Sequence, residues 1–274
     1  MSVSINYHRE GVGPALVLLH GIGMRWQAWR PVIELLSDEF DVIACDSPGF
    51  GRSAQLSAGI EPSIPAYTDA FEWFLTELGL ERPHVAGVSM GGAIALELAR
   101  DRAVSSATAF SPAGFWTGLE RRFCQRSLKA VLEIPQALRP TVEALARTKA
   151  GRVALFWQTF GYPTRMPAAE AIATLENAWA SPAFAGALEA FSGYRFRSPE
   201  QLRSTPVTIA WGRRDRLLPY RLQAPRARAE LPWARHVTLG AGHVPFYDDP
   251  AAVAEVIRTC ARSALSVDAP TTSG

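Results

Sequence analysis

Short apolar segments alternate along the chain with segments of helical periodicity. Apolar runs predict strands that are buried on both faces, and apolar residues that recur every three or four positions predict amphipathic helices. The predicted strands lie at 15–19, 41–45, 84–88, 104–110, 206–211 and 235–239. The predicted helices lie at 29–36, 66–78, 91–100, 221–230 and 251–262. This alternation favours a mostly parallel sheet with helices on both faces.

The alternation changes at the N-terminus, in one long internal stretch and at the C-terminus. Residues 2–8 predict a single antiparallel strand at or near the sheet edge. From 114 to 203 the pattern is helical and interrupted by prolines, and this stretch holds 12 of the 27 aromatic residues. We therefore predict a core of residues 1–113 and 204–266, a helical insertion at 114–203 and a flexible tail at 267–274.

One serine lies where a predicted strand turns directly into a predicted helix. The sequence from Gly87 to Gly92 contains the G-x-S-x-G pattern around Ser89. A turn this tight needs small residues two positions before and two after the serine, and both are glycine here. A helix N-cap serine flanked by packing glycines is the alternative. The strand before and the apolar helix after favour a nucleophile whose side chain lies at a helix N-terminus.

A serine hydroxyl needs a neighbouring base, and the base needs an acid that orients it. His243 follows the predicted strand 235–239, and Asp215 follows the predicted strand 206–211. The carboxyl ends of parallel strands meet at one sheet edge, so both residues should lie near Ser89. A salt-bridged Asp215 beside its arginine neighbours is the alternative. We interpret Asp248 and Asp249 as the beginning of the final helix and not as the orienting acid.

The loop from His20 to Gly23 follows the predicted strand 15–19. An attacked carbonyl becomes an oxyanion that needs two preorganised N–H donors. We predict these donors to be the backbone N–H groups of Ile22 and Met90, although the loop could also be an ordinary turn. His20 is expected to pack beneath the loop and to take no part in catalysis.

The order Ser89, Asp215, His243 and several surrounding motifs resemble the α/β-hydrolase superfamily. The motifs that carry the resemblance lie at 20–23, 46–53, 87–92, 215–219 and 242–245. The resemblance implies an α/β-hydrolase fold: a mostly parallel sheet of about seven strands, shortened at the N-terminus, flanked by helices and carrying an inserted α-helical cap. Serine at the turn resembles esterases, lipases and thioesterases, and departs from haloalkane dehalogenases and epoxide hydrolases, which carry aspartate there.

These features predict a serine hydrolase that cleaves small carboxylic esters through an acyl-enzyme on Ser89. The aromatic insertion predicts a largely apolar acyl or aromatic group in the substrate. The residues predicted to bind it are Trp26, Trp116, Trp157, Trp179 and Val244. The alternatives are a thioesterase, a cofactor-free haloperoxidase that shares Ser-Met-Gly-Gly, a non-enzymatic ligand receptor, and a carbon–carbon bond hydrolase for β-ketones or meta-cleavage products. The last is disfavoured because such enzymes often have Asn where Val88 stands.

Charge and cysteine content bear on the binding partners and the cellular compartment of the protein. The chain of 274 residues has 28 basic and 26 acidic residues, which gives no case for nucleic-acid binding. The insertion is basic, with 12 basic and 7 acidic residues, which indicates either solvated helix faces or a preference for anionic substrates or an anionic lipid surface. Three dispersed cysteines, no signal sequence and no membrane span predict a cytoplasmic protein. No cofactor and no metal are expected, and the sequence leaves the oligomeric state open.

Overall fold

The computed structural model describes residues 3–197 and 199–267. Within these residues seven strands form one sheet in the order β1-β3-β2-β4-β5-β6-β7. The strands are β1 (Tyr7–Glu10), β2 (Ala15–Leu19), β3 (Asp41–Cys45), β4 (His84–Val88), β5 (Ser106–Phe110), β6 (Val207–Gly212) and β7 (Arg235–Leu239). Strand β1 pairs antiparallel with β3, and all other pairs are parallel. The predicted mostly parallel sheet of about seven strands is therefore confirmed.

The N-terminal strand was predicted at 2–8 but lies at Tyr7–Glu10. The residues before it pair with the loop after β3 instead of with a strand. The carbonyl of Asn6 accepts a hydrogen bond from the N–H of Asp46 at 2.9 Å, and the carbonyl of Ser4 accepts one from Ala54 at 2.9 Å. Backbone groups satisfied by a loop form no ladder, so the strand starts only at Tyr7.

Helices cover both faces of the sheet and form a long insertion. The helices are α1 (Arg30–Leu36), α2 (Ile64–Glu77), α3 (Met90–Arg100), α4 (Gly118–Leu132), α5 (Arg139–Arg147), α6 (Lys149–Phe156), α7 (Ala168–Ala180), α8 (Phe184–Ala190), α9 (Tyr220–Glu230) and α10 (Pro250–Val267). Helix α10 continues to Val267, the first residue of the predicted tail, and the tail stays a prediction. Residues 268–274 of that predicted tail lie outside the described residues.

Strands β2 to β6 bury side chains on both faces, whereas the edge strands β1 and β7 are mostly exposed or partly exposed. In β2, Leu16 and Leu18 pack into the core beneath α1 and α10, whereas Val17 and Leu19 pack into the core beneath α2 and α3. Five α-helices, α4 to α8, lie between β5 and β6 in the described residues. The assignment of 114–203 to a separate cap stays a prediction. No helix of the described residues has both the length and the hydropathy that crossing a membrane requires.

Candidate active site

Ser89 lies in a strained turn between β4 and α3. Its backbone has φ 56° and ψ −112°, a positive φ that non-glycine residues rarely adopt. The turn is held by backbone hydrogen bonds from Ser89 N–H to the Phe110 carbonyl (2.9 Å) and to the Ser89 carbonyl from Ala93 (3.0 Å) and Ala113 (3.1 Å). Strain of this kind persists only where the surrounding structure fixes it, and it is concentrated at functional sites.

Glycines are required on both sides of the serine. A Cβ on Gly87 would lie 2.1 Å from the carbonyl oxygen of Gly91, and a Cβ on Gly91 would lie 2.3 Å from the carbonyl oxygen of Leu19. Both neighbours are backbone atoms, which cannot move aside without moving α3 or β2. The turn is therefore compatible with the sequence only because both positions lack a side chain.

His243 and Asp215 form a buried hydrogen-bonded pair at the carboxyl edge of the sheet. His243 Nδ1 lies 2.8 Å from Asp215 Oδ2, and the side chains are 3% and 0% exposed. A carboxylate only accepts, so Nδ1 carries the proton of this bond. The other oxygen of Asp215 accepts from the N–H groups of Leu217 (3.0 Å) and Leu218 (2.8 Å), which fix the carboxylate. His243 Nε2 has no hydrogen-bond partner among the described residues, so its lone pair is free to take a proton.

Ser89 and His243 line one cavity of about 850 Å³, a volume that includes its opening to solvent. Helices α4, α6, α7 and α8, together with residues 158–160 after α6, supply more than half of the lining residues. The lining residues are predominantly apolar, and none of them is Asp, Glu, Lys or Arg. The polar side chains in the wall away from the serine are Ser127, Gln158, Thr159 and Thr174. The cavity is thus suited to an uncharged, mainly apolar group.

The loop after β2 lies against the serine. Gly21, Ile22 and Gly23 line the same cavity, and a Cβ on Gly21 would lie 3.4 Å from Ser89 Cβ. Neither the N–H of Ile22 nor that of Met90 donates a hydrogen bond to any residue that the structure describes. Met90 is the first residue of α3, where an N–H has no intrahelical acceptor. Neither of the N–H groups predicted as oxyanion donors is therefore used by another described residue.

Both ring nitrogens of His20 are hydrogen-bonded to backbone groups. Its Nδ1 lies 2.7 Å from the Gly21 carbonyl, and its Nε2 accepts a hydrogen bond from Ser47 N–H at 2.8 Å. Burial lowers the pKa of His20, which favours the neutral ring that these two bonds require. Cys124 is no competing nucleophile, since burial raises the pKa of its thiol to about 12, with a further contribution from the charge of Asp215.

Of the five residues predicted to bind the substrate, the structure brings Val244 to the cavity wall. It does not bring the four tryptophans there. Trp116 is buried and donates its indole N–H to the Tyr194 carbonyl at 3.0 Å. Trp179 donates to the Val131 carbonyl at 2.9 Å. An indole removed from water needs an acceptor for its N–H, and here backbone carbonyls provide it.

The other two tryptophans lie outside the cavity for different reasons. Trp26 stacks on His8 with 4.4 Å between the ring centroids, so the edge strand β1 covers it. Trp157 is 49% exposed and lies beneath the guanidinium of Arg216, with 5.8 Å between Arg216 Cζ and the centroid of the indole ring. The cavity is lined instead by Phe156, Phe160 and Phe184, which the sequence pattern did not separate from the other aromatic residues.

Two buried aspartates make hydrogen bonds to backbone groups that the sequence did not reveal. Asp46 accepts hydrogen bonds from Trp26 N–H (2.8 Å), Arg52 N–H (3.0 Å) and Asn6 Nδ2 (2.8 Å), which ties the loop after β3 to its neighbours. Asp248 is 2% exposed and accepts three backbone N–H groups near His243. Of the two aspartates expected at the beginning of the final helix, Asp249 caps it by accepting from Ala252 N–H at 3.1 Å, whereas the side chain of Asp248 does not.

Comparisons with known proteins identify the family and support the fold. The model of the family described as "Alpha/beta hydrolase family" matches residues 16–256. An uncharacterized protein of Mycobacterium tuberculosis is 31% identical over 262 residues, which is 90% of this chain and 75% of that protein. The pimeloyl-[acyl-carrier protein] methyl ester esterase of Aeromonas hydrophila is 28% identical over 274 residues, 93% of this chain and 98% of the esterase. A thermophilic esterase from Thermogutta terrifontis superposes with a TM-score of 0.72 at 22% identity, covering 96% of this chain and 94% of its own.

Proposed function

Because the chain belongs to the alpha/beta hydrolase family, we propose that it is a serine hydrolase that cleaves carboxylic esters with a largely apolar acyl or aromatic group. The observation that carries the proposal is the shared apolar cavity of Ser89 and His243, in which His243 presents a free Nε2 while Asp215 holds its Nδ1. The similarity to a methyl ester esterase supports esters as the substrate class.

In the first step of the proposed reaction, Ser89 Oγ attacks the carbonyl carbon of the ester while His243 Nε2 accepts the hydroxyl proton. Asp215 stabilises the imidazolium that forms and keeps the ring in the required tautomer. The N–H groups of Ile22 and Met90 donate to the oxyanion, reinforced by the N-terminus of α3. His243 then gives its proton to the departing alcohol, and the acyl group remains on Ser89.

In the second step water is the nucleophile and Ser89 is the leaving group. Water enters where the alcohol left, and His243 Nε2 takes a proton from it as it attacks the acyl carbonyl. The same two N–H groups stabilise the second oxyanion, and Ser89 leaves with the proton returned by His243. His243 thus transfers two protons in one cycle: one from Ser89 to the departing alcohol and one from water back to Ser89.

The neutral cavity wall favours uncharged acyl groups. The basic residues of the insertion do not line the cavity within the described part of the chain, so the hypothesis that they select anionic substrates has no support from the cavity. An apolar chain lying along Leu128, Leu175 and Phe184 would be stabilised by about 0.8 kcal/mol per buried methylene. We propose that residues 114–203 act as the cap that forms this wall, and that the enzyme is cytoplasmic.

A chain-length series of p-nitrophenyl esters tests the proposal. If each added methylene is buried in the cavity, kcat/KM should rise about fourfold per methylene over the first few carbons. Matched thioesters and β-diketones are assayed alongside and should react more slowly than the esters. A profile that does not respond to acyl length would contradict an apolar acyl site. Faster cleavage of the thioesters or β-diketones would favour those alternatives, and fluorophosphonate labelling without turnover of any substrate would favour a receptor.

A further inference from the structure

Asp248 is a buried carboxylate whose oxygens are used entirely on backbone groups. Its Oδ2 accepts hydrogen bonds from Gly161 N–H and Gly242 N–H, both at 2.7 Å, and its Oδ1 accepts one from Tyr162 N–H at 2.8 Å. Charge-assisted bonds of this kind are stronger than neutral ones. Asp248 thereby joins two segments that are about 80 residues apart in the chain.

One of these segments is the loop that carries His243. Gly242 directly precedes the histidine, and Val244, directly after it, donates its N–H to the Thr159 carbonyl at 2.8 Å. A Cβ on Gly242 would lie 2.3 Å from the Gly161 nitrogen, so the two backbones are in direct contact. The main chain on both sides of His243 is therefore fixed by residues 159–162 of the insertion.

The same insertion segment forms part of the cavity wall. Thr159 and Phe160 line the cavity together with His243 and Val244. A substrate group bound there would contact the residues that fix the base. Asp215 determines the orientation of the imidazole ring through Nδ1, but it makes no hydrogen bond to the main chain of 242–244 in the described structure.

We propose that Asp248 is a positioning residue that acts through His243: it holds the histidine loop on residues 159–162 and so places Nε2 at the distance from Ser89 that proton transfer requires. This inference rests on the proposed function. Asparagine cannot replace the carboxylate, since each oxygen of Asp248 faces at least one N–H and an amide nitrogen would meet a donor in either orientation. A displacement of about 1 Å at the base costs on the order of a hundredfold in rate.

The test compares Asp248→Asn with Asp249→Asn. Both substitutions remove one negative charge at adjacent positions, but Asp249 is exposed and asparagine keeps its helix-capping ability. Active sites are titrated with a fluorophosphonate, and kcat, KM and the labelling rate are measured per titrated site, well below the unfolding temperature of each variant. Asp248→Asn should lower kcat and the labelling rate by about 10- to 100-fold with a smaller change in KM, whereas Asp249→Asn should match the wild type.

A purely structural role would reduce the number of titrated sites and the unfolding temperature but leave the rate per site unchanged, and that result would overturn the inference. If Asp248→Asn does not fold, the same measurements are made on Gly161→Ala. Its Cβ would lie 2.8 Å from the Gly242 nitrogen and 3.0 Å from Asp248 Oδ2, so it perturbs the same contact. The same loss of rate per site supports the inference, and wild-type rates contradict it. Wild-type protein that neither hydrolyses esters nor reacts with the fluorophosphonate would instead overturn the proposed function, and with it this inference.

Discussion

Replacing Gly91 with alanine perturbs the turn around Ser89 at one defined point. The added Cβ would lie 2.3 Å from the Leu19 carbonyl oxygen and 2.6 Å from that of His20, both at the end of β2. Ordinary van der Waals contact begins at 3.4 Å. The N-terminus of α3 must therefore move away from β2 by about 1 Å. That movement separates the N–H of Met90 from the loop that carries the N–H of Ile22.

Two effects follow from this displacement. Misplacing a catalytic group by about 1 Å costs on the order of a hundredfold in kcat. Overpacking a rigid site costs about 1–3 kcal/mol of the free energy of unfolding, which lowers Tm by roughly 2–4 °C per kcal/mol in a chain of this size. We expect the loss in kcat to exceed any change in KM, because the acyl-binding wall lies mainly on the insertion helices.

The assay measures steady-state hydrolysis of a p-nitrophenyl ester and thermal unfolding by circular dichroism. Gly118→Ala is the matched control: it lies at the start of α4, and a Cβ there meets no atom within 4 Å. The control should keep wild-type kcat and gain up to about 1 kcal/mol of stability. If Gly91→Ala kept wild-type kcat and Tm, the close approach of α3 to β2 would not be what places the oxyanion donors.

Two further predictions concern protonation. Asp215→Asn should lower kcat by about 10⁴-fold with little change in KM, since an amide that keeps the Leu217 and Leu218 N–H bonds cannot accept from His243 Nδ1 and favours the wrong tautomer; wild-type kcat in the same ester assay would refute this. Burial lowers the pKa of His84, so its contribution to stability is complete above its ordinary value of about 6.5 and is lost as the pH falls below it. The decrease in Tm between pH 7.5 and pH 5.5 should be smaller in His84→Gln than in the wild type, and an equal or larger decrease would contradict this.

The sequence predicts the central strands well because their burial is simple. Strands β2, β3 and β4 lie at the predicted residues, and each is an apolar run bounded by turn-forming residues. Strand β7, at one edge of the sheet, also lies at the predicted residues, where its polar and apolar positions alternate. The edge strand β1 is displaced from its predicted position, since none of its four residues is fully buried and its register is set by pairing with β3. Periodicity carries no information about a strand whose position depends on its partner.

Some residues of the candidate site could be predicted from the sequence and others could not. Ser89, Asp215 and His243 are recognisable because each follows a strand, and parallel strands bring their carboxyl ends to one edge. The sequence does not show where the tryptophans of the insertion lie, because their positions depend on how helices pack and on which carbonyl accepts each indole N–H. Asp248 bonds to Gly161 and Tyr162, 87 and 86 residues away, and no local pattern predicts such a contact.

The most direct test of the central claim is the mass of the acyl-enzyme. The protein is mixed with a p-nitrophenyl ester, quenched with acid during turnover and analysed by intact mass and peptide mapping. We expect one acyl group per chain, carried by Ser89, and no adduct in Ser89→Ala, whose kcat should fall by about a thousandfold or more. An adduct on another residue, or wild-type turnover by Ser89→Ala, would contradict the central claim.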